Sequence, residues 1–159
     1  MESLRIRQAH AADADEIARL RWEFSLEGHQ PIESYEAFTR RMAAEVRRYL
    51  ASGRWSIWVA EHPEIARRLI ATLFLQRIDK VPRPYPRPGA WGYITNVFVD
   101  APWRDRGVGR EVMDVAIAAA RAEGLDTLLL WPSHRAVPFY ERAGFATATE
   151  AMEFPLDEP

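Results

Sequence analysis

Cysteine is absent from the 159 residues, which excludes disulfide scaffolds, thiolate zinc sites and cysteine nucleophiles together. Histidine is scarce and scattered: His10, His29, His62 and His134 include no i, i+4 pair of the kind that binds zinc on a helix, so no metal site is expected. Lysine is scarcer still, Lys80 being the single one among 21 basic residues. The formal net charge of -2 denies the chain the global positive field that holds nucleic acid by its phosphates. No apolar run approaches the length of a membrane span, and none follows a charged signal-peptide start. The expectation is a cytoplasmic protein with neither nucleic acid nor membrane as partner.

What is present suits one soluble domain spanning 1–159. Hydrophobic residues make up 48%, enough to bury a core at this length without metals or disulfides. Leu4 and Ile6 alternate with Arg5 and Arg7, predicting a short first strand. Asp13 reads as an N-cap, and Ile17, Leu20, Arg21 and Phe24 recur at helical spacing up to Leu26, before the break at Gly28-His29-Gln30-Pro31. After Ser34, half of a capping box, Tyr35, Phe38, Met42, Val46 and Tyr49 share one face of a second helix. Trp55, Ile57 and Val59 alternate, and beyond His62-Pro63 the β-rich run Leu69 to Ile78 completes an antiparallel hairpin.

Pro82, Pro84, Pro86 and Pro88 fall at every second position, which forbids ladder donation and forces an extended surface excursion. It reads as a rigid connector, or else as a lid carrying Arg83, Tyr85 and Arg87. A strand from Tyr93 to Val99, a helix from Val108 to Ala122, a strand at Leu128-Leu129-Leu130, a short helix from Ala136 to Ala143 and a last strand from Phe145 to Phe154 follow. The order predicts a mixed α/β (α+β) sheet with helices on both faces.

The segment Arg104-Asp105-Arg106-Gly107-Val108-Gly109-Arg110 joins a strand to a helix. A helix start exposes unpaired N–H groups, and two glycines let an anion approach them, so the segment reads as a phosphate cradle flanked by Arg104, Arg106 and Arg110. It is not a Walker loop, which needs Gly-Lys followed by Ser or Thr. Nor is it a dinucleotide fingerprint, because Val112 stands where the third glycine belongs. Ser133-His134 lacks the Gly-x-Ser-x-Gly elbow of a serine nucleophile.

Val97-Phe98-Val99-Asp100-Ala101-Pro102-Trp103-Arg104-Asp105-Arg106-Gly107-Val108-Gly109 resembles the acetyl-CoA motif of the GNAT superfamily of N-acetyltransferases. Ser133 to Phe145, with Ala136, Phe139-Tyr140 and Ala143-Gly144-Phe145, resembles the family's second cofactor segment. The resemblance implies a sheet of six to seven strands, splayed between the strands at 93–99 and 126–131. It implies acetyl-CoA as donor, with Val97, Phe98 and Val99 offering backbone to pantetheine, Asp105 to Arg110 around the pyrophosphate, and Tyr140 protonating the departing thiolate. Ser133 replaces the asparagine common in the family. Tyr93, Thr95 and Asn96 stand where the family often has an acid, which leaves the general base open.

For the acceptor, the first two helices offer Trp22, Glu23, Glu27, His29, Glu33, Tyr35 and Phe38, an aromatic and acidic wall suited to a cationic amine. Trp22, Glu23, His29 and Asn96 are taken as the acceptor-contacting set, with Glu23 or His29 as base. The expected reaction is direct transfer of acetyl to a primary amine through a tetrahedral intermediate, the amine belonging to a small molecule. The alternatives are a protein N-terminus or lysine as acceptor, or a non-catalytic acyl-CoA sensor. A homodimer is compatible with either.

Overall fold

A computed structural model of the chain describes residues 4–84, 89–148, 150–154 and 156. Pro86, Pro88, Tyr85 and Arg87 of the proline-rich excursion lie outside the described residues. The base of that excursion is pinned: Lys80 N donates to Gly89 O at 3.0 Å and Lys80 Nζ bridges to Asp126 at 2.7 Å.

The two periodicities in the sequence become two kinds of element. In chain order these are β1 (Ile6–Gln8), α1 (Ala14–Ser25), α2 (Tyr35–Ala51), β2 (Trp55–Glu61), β3 (Leu69–Asp79), β4 (Ala90–Val99), α3 (Val108–Ala122), β5 (Thr127–Leu129) and α4 (Val137–Arg142). The strands form one sheet in the order β1-β2-β3-β4-β5, antiparallel except for the parallel pair β4–β5. β3 is buried from Leu69 to Leu75 without alternation because both of its faces are covered. On one face Ile17 and Leu20 of α1 and Val46 of α2 pack with Ile57, Val59 and Phe74. On the other, Val108, Val112, Met113 and Ala116 of α3 pack with Ile70, Leu73, Leu75 and Ile94.

Two expectations change. Asp13 does stand immediately before α1, but its carboxylate does not cap that helix. It accepts from Arg7 at 2.7 and 2.9 Å and from His10 N at 2.8 Å, fastening β1 to the entry of α1. Among the described residues the sheet has five strands rather than six to seven, and 145–148 and 150–154 form no strand. A strand needs a ladder partner, and the edge they would join, β5, is only three residues long. Among the described residues no helix is long and apolar enough to cross a membrane.

Candidate active site

Pairing of β4 with β5 lasts for three residues, Trp91↔Thr127, Gly92↔Leu128 and Tyr93↔Leu129. Past Tyr93, β4 stays with β3 as far as Val99↔Ala71, while the chain after Leu129 leaves the ladder toward Pro132. The expected splay is therefore present, and the edge of β4 from Ile94 to Val99 borders a cleft of about 1230 Å³. At the parting point the register slips: Thr72 faces Phe98 but Phe74 faces Thr95, so Asn96 and Val97 together oppose Leu73. This is a β-bulge, which bends and twists its strand. Asn96 takes φ 50°, and its buried Oδ1 and Nδ2 have no hydrogen-bond partner among the described residues. Its carbonyl accepts from Thr72 Oγ1 at 3.3 Å.

The loop after β4 makes the second wall. Glu111 N donating to Gly107 O at 3.0 Å is the first bond of α3, so the amides of Gly107, Val108, Gly109 and Arg110 have no acceptor within the helix. Gly107 lies at φ 84°, the left-handed region that favours glycine. Gly109 is constrained by closeness: a Cβ there would stand 3.3 Å from Val99 and 3.4 Å from Phe139. Gly109 thus lets the start of α3 approach both β4 and α4.

The three flanking arginines are held in different ways. Arg104 Nε donates to Val99 O at 2.9 Å, its Nη2 pairs with Glu27, and it lies over the Phe98 ring, so it clamps the loop to β4 and the end of α1. Arg106 lies over Trp103 at 5.2 Å and is not among the residues lining the cleft. Arg110 bonds Asp114 and Arg142 O. Neither Arg106 nor Arg142 has an ion-pair or hydrogen-bond partner for its guanidinium among the described residues; of the two, Arg142 lines the cleft, two positions after Tyr140, and was missed in the sequence. Its place within the second cofactor segment was the available signal.

Tyr140 of α4 also lines the cleft, its ring set edge-on to Phe139 at 5.1 Å and to Phe145 at 5.8 Å. Burial pushes its phenol above the ordinary tyrosine range. Ser133 lines the same wall from the extended stretch before a short 3₁₀ turn at His134–Ala136.

Opposite stand Met42 and Tyr49 of α2, Trp55 of β2 and Phe74 of β3, with Arg21 and Phe24 of α1. Of the acceptor set, Asn96 alone lines the cleft. Helical geometry turns Trp22 toward Tyr35 and Phe38, at 5.5 and 5.6 Å, and leaves Glu23 exposed, while His29 is exposed beyond the helix end. Glu33 pairs with Arg41, and Glu27, which does line the cleft, is held by Arg104 and Arg135. The aromatic and acidic wall is thus aromatic with its acid neutralised. Arg21 was the overlooked residue, and its signal was a cation interrupting the apolar stripe of α1.

A family model described as Acetyltransferase (GNAT) family matches residues 14–145. The glucosamine 6-phosphate N-acetyltransferase of Trypanosoma brucei brucei is 31% identical over 67 residues, 42% of this chain and 46% of that protein, so the match spans under half of that relative's length. A predicted acetyltransferase from Clostridium acetobutylicum, solved with acetyl-CoA, superposes with TM-score 0.78 at 24% identity over 97% of each chain. The GCN5-related N-acetyltransferase of Ralstonia eutropha JMP134 gives 0.75 at 26% identity, covering 97% of this chain and 99% of that one. The glucosamine-6-phosphate N-acetyltransferase of Arabidopsis thaliana gives 0.72 at 23%, covering 98% and 100%.

Proposed function

We propose, because this chain belongs to the acetyltransferase (GNAT) family, that it passes acetyl from acetyl-CoA directly to the primary amine of a small molecule. The observation that carries this reading is one continuous cleft bordered by the free edge of β4, the orphan amides of the α3 start and Tyr140. Those groups fit the donor. Four amides at a helix start with no acceptor within the helix suit a pyrophosphate, and a strand edge without a neighbour, from Val97 to Val99, suits the two amides of pantetheine.

Bound acetyl-CoA supplies a thioester carbonyl for the amine to attack and a thiolate as leaving group. Tyr140 is assigned as the donor that stabilises charge on sulfur, with Ser133 as a further polar contact along the cofactor wall. Arg104 holds the loop in place rather than meeting phosphate, and Arg142 supplies positive charge at the pyrophosphate end. Small-molecule acceptance is supported by the depth of the cleft, which is lined by side chains from α1, α2, β2 and β3 as well as by β4 and the α3 start, the concave form that small ligands occupy. The relatives named for glucosamine 6-phosphate also act on a small amine.

Release of CoA thiol, measured over a panel of small primary amines and short peptides, tests the assignment. Amines are expected to support release and peptides not. A peptide as best acceptor overturns the small-molecule reading, and a kinetically competent acetyl-enzyme formed without acceptor overturns direct transfer.

A further inference from the structure

Arg21 sits on the apolar face of α1, four residues after Ile17 and three before Phe24, at a position where a helix packed on a sheet ordinarily carries an apolar side chain. It is half-buried and lines the cleft, with its guanidinium 5.1 Å from the centre of the Phe24 ring. Among the described residues none of its five N–H donors finds an acceptor. Its neighbour on the same helix shows the contrast: Arg19 bonds both oxygens of Glu16 and the carbonyl of Leu69. Burial lowers the basicity of Arg21, and no carboxylate offsets that loss. A partly desolvated cation held without a counter-ion is costly, and a ring face compensates only in part.

The surroundings narrow what completes it. Met42, Tyr49, Trp55 and Phe74 bring no charge to this wall, and the acid nearest in sequence to line the cleft, Glu27, already holds Arg104 and Arg135. The anionic phosphates of the donor have their own amides at the α3 start, beside Arg142.

We propose that the acceptor amine carries an anionic group, a carboxylate or a phosphate, and that Arg21 binds it through its fork of N–H donors. This rests on the transferase reading above. A polyamine or other purely cationic amine would meet Arg21 with repulsion. An amine with an apolar or aromatic body and a negative group fits both the charge and the wall.

Matched acceptors read the proposal: phenylalanine against its methyl ester and phenethylamine for the carboxylate, and glucosamine 6-phosphate against glucosamine for the phosphate. Wild type, Arg21→Lys and Arg21→Gln are compared by thiol release and by calorimetric binding of each amine to the enzyme–CoA complex, with acetyl-CoA affinity reporting on the intact fold. Arg21→Gln is expected to lower kcat/KM for whichever anionic acceptor is used by about 30-fold or more, and for its uncharged analogue by less than about threefold. Arg21→Lys should recover part of the loss, since it keeps the charge but not the fork. Equal losses for charged and uncharged analogues, weakened acetyl-CoA binding in Arg21→Gln, or no anion-dependent binding by wild type each overturn the proposal. Anion-dependent binding that needs Arg21 but yields no thiol release upholds it and sinks the transferase reading instead.

Discussion

Tyr140 is a weak acid made weaker. A phenol is less acidic than a thiol by about 1.5 pKa units, and burial among Phe139 and Phe145 pushes Tyr140 further up. Full proton transfer to an ordinary thiolate is therefore uphill, and the contribution proposed for Tyr140 is a fixed O–H dipole whose attraction grows as charge develops on desolvated sulfur. Tyr140→Phe is expected to lower kcat by about 10²-fold while leaving acetyl-CoA affinity nearly intact. Single-turnover rates with a good acceptor, alongside calorimetry for the cofactor, check this. Wild-type kcat under chemistry-limited conditions would assign thiolate protonation to water. The position of Tyr140 was legible in the segment Phe139-Tyr140-Glu141. The conformation of Asn96 was not, because a bulge depends on the register against β3, which no local spacing encodes.

At the scale of elements, the α3 start owes its shape to two glycines acting in different ways. Gly107→Asp places a side chain and a negative charge beside the orphan amides, and acetyl-CoA affinity is expected to fall steeply while the fold survives. Gly109→Ala adds a Cβ 3.3 Å from Val99 and 3.4 Å from Phe139, so it should push the helix start off both neighbours and weaken cofactor binding through position alone. Calorimetry on folded variants checks both, and unchanged affinity in Gly107→Asp would remove the loop as phosphate site.

A second junction, Arg7 with Asp13 and Glu61, ties β1 to β2 and to the entry of α1. Burial raises the Asp13 carboxyl, but hydrogen bonds from Arg7 and His10 N outweigh it and hold the group below the ordinary aspartate range. A depressed folded-state pKa means that this stability is present above the unfolded value near 3.9 and is lost as pH falls through the folded one. Asp13→Ala is expected to cost about 2 kcal/mol at pH 7. Urea unfolding at several pH values should show wild type and variant converging below about pH 4. The elements themselves were legible where a period persisted, as in α2, α3 and β2. The run from Phe145 to Phe154 had strand-like composition, but strand formation is settled by a partner elsewhere in the chain, and the three residues of β5 do not extend far enough to supply it.

Over the whole molecule, charge is distributed so that, among the described residues, the cleft has no free base away from its pyrophosphate end. Its lining contains no histidine among the described residues, and its carboxylates there are Glu27, held by two arginines, and Asp105, in the loop at the pyrophosphate end. Glu23 and His29, the bases expected from sequence, lie outside its walls. The proposed amine acceptor must lose its proton before it attacks, and with no poised acceptor of that proton among the described residues the reaction is expected to draw on the fraction already neutral in solution. The expectation is that kcat/KM rises about tenfold per pH unit below the acceptor's own pKa and levels off near it. Because burial raises Tyr140 above its ordinary value near 10, its ionisation should not produce a decline below that pH. The measurement is a pair of profiles for two acceptors whose amine pKa values differ by about 2 units, the free-enzyme limit being read from kcat/KM. If the inflection travels with the amine, the cleft works without a base of its own. An inflection common to both acceptors would instead belong to the protein, and would return Glu27 to consideration as a base released from its arginines when substrate binds.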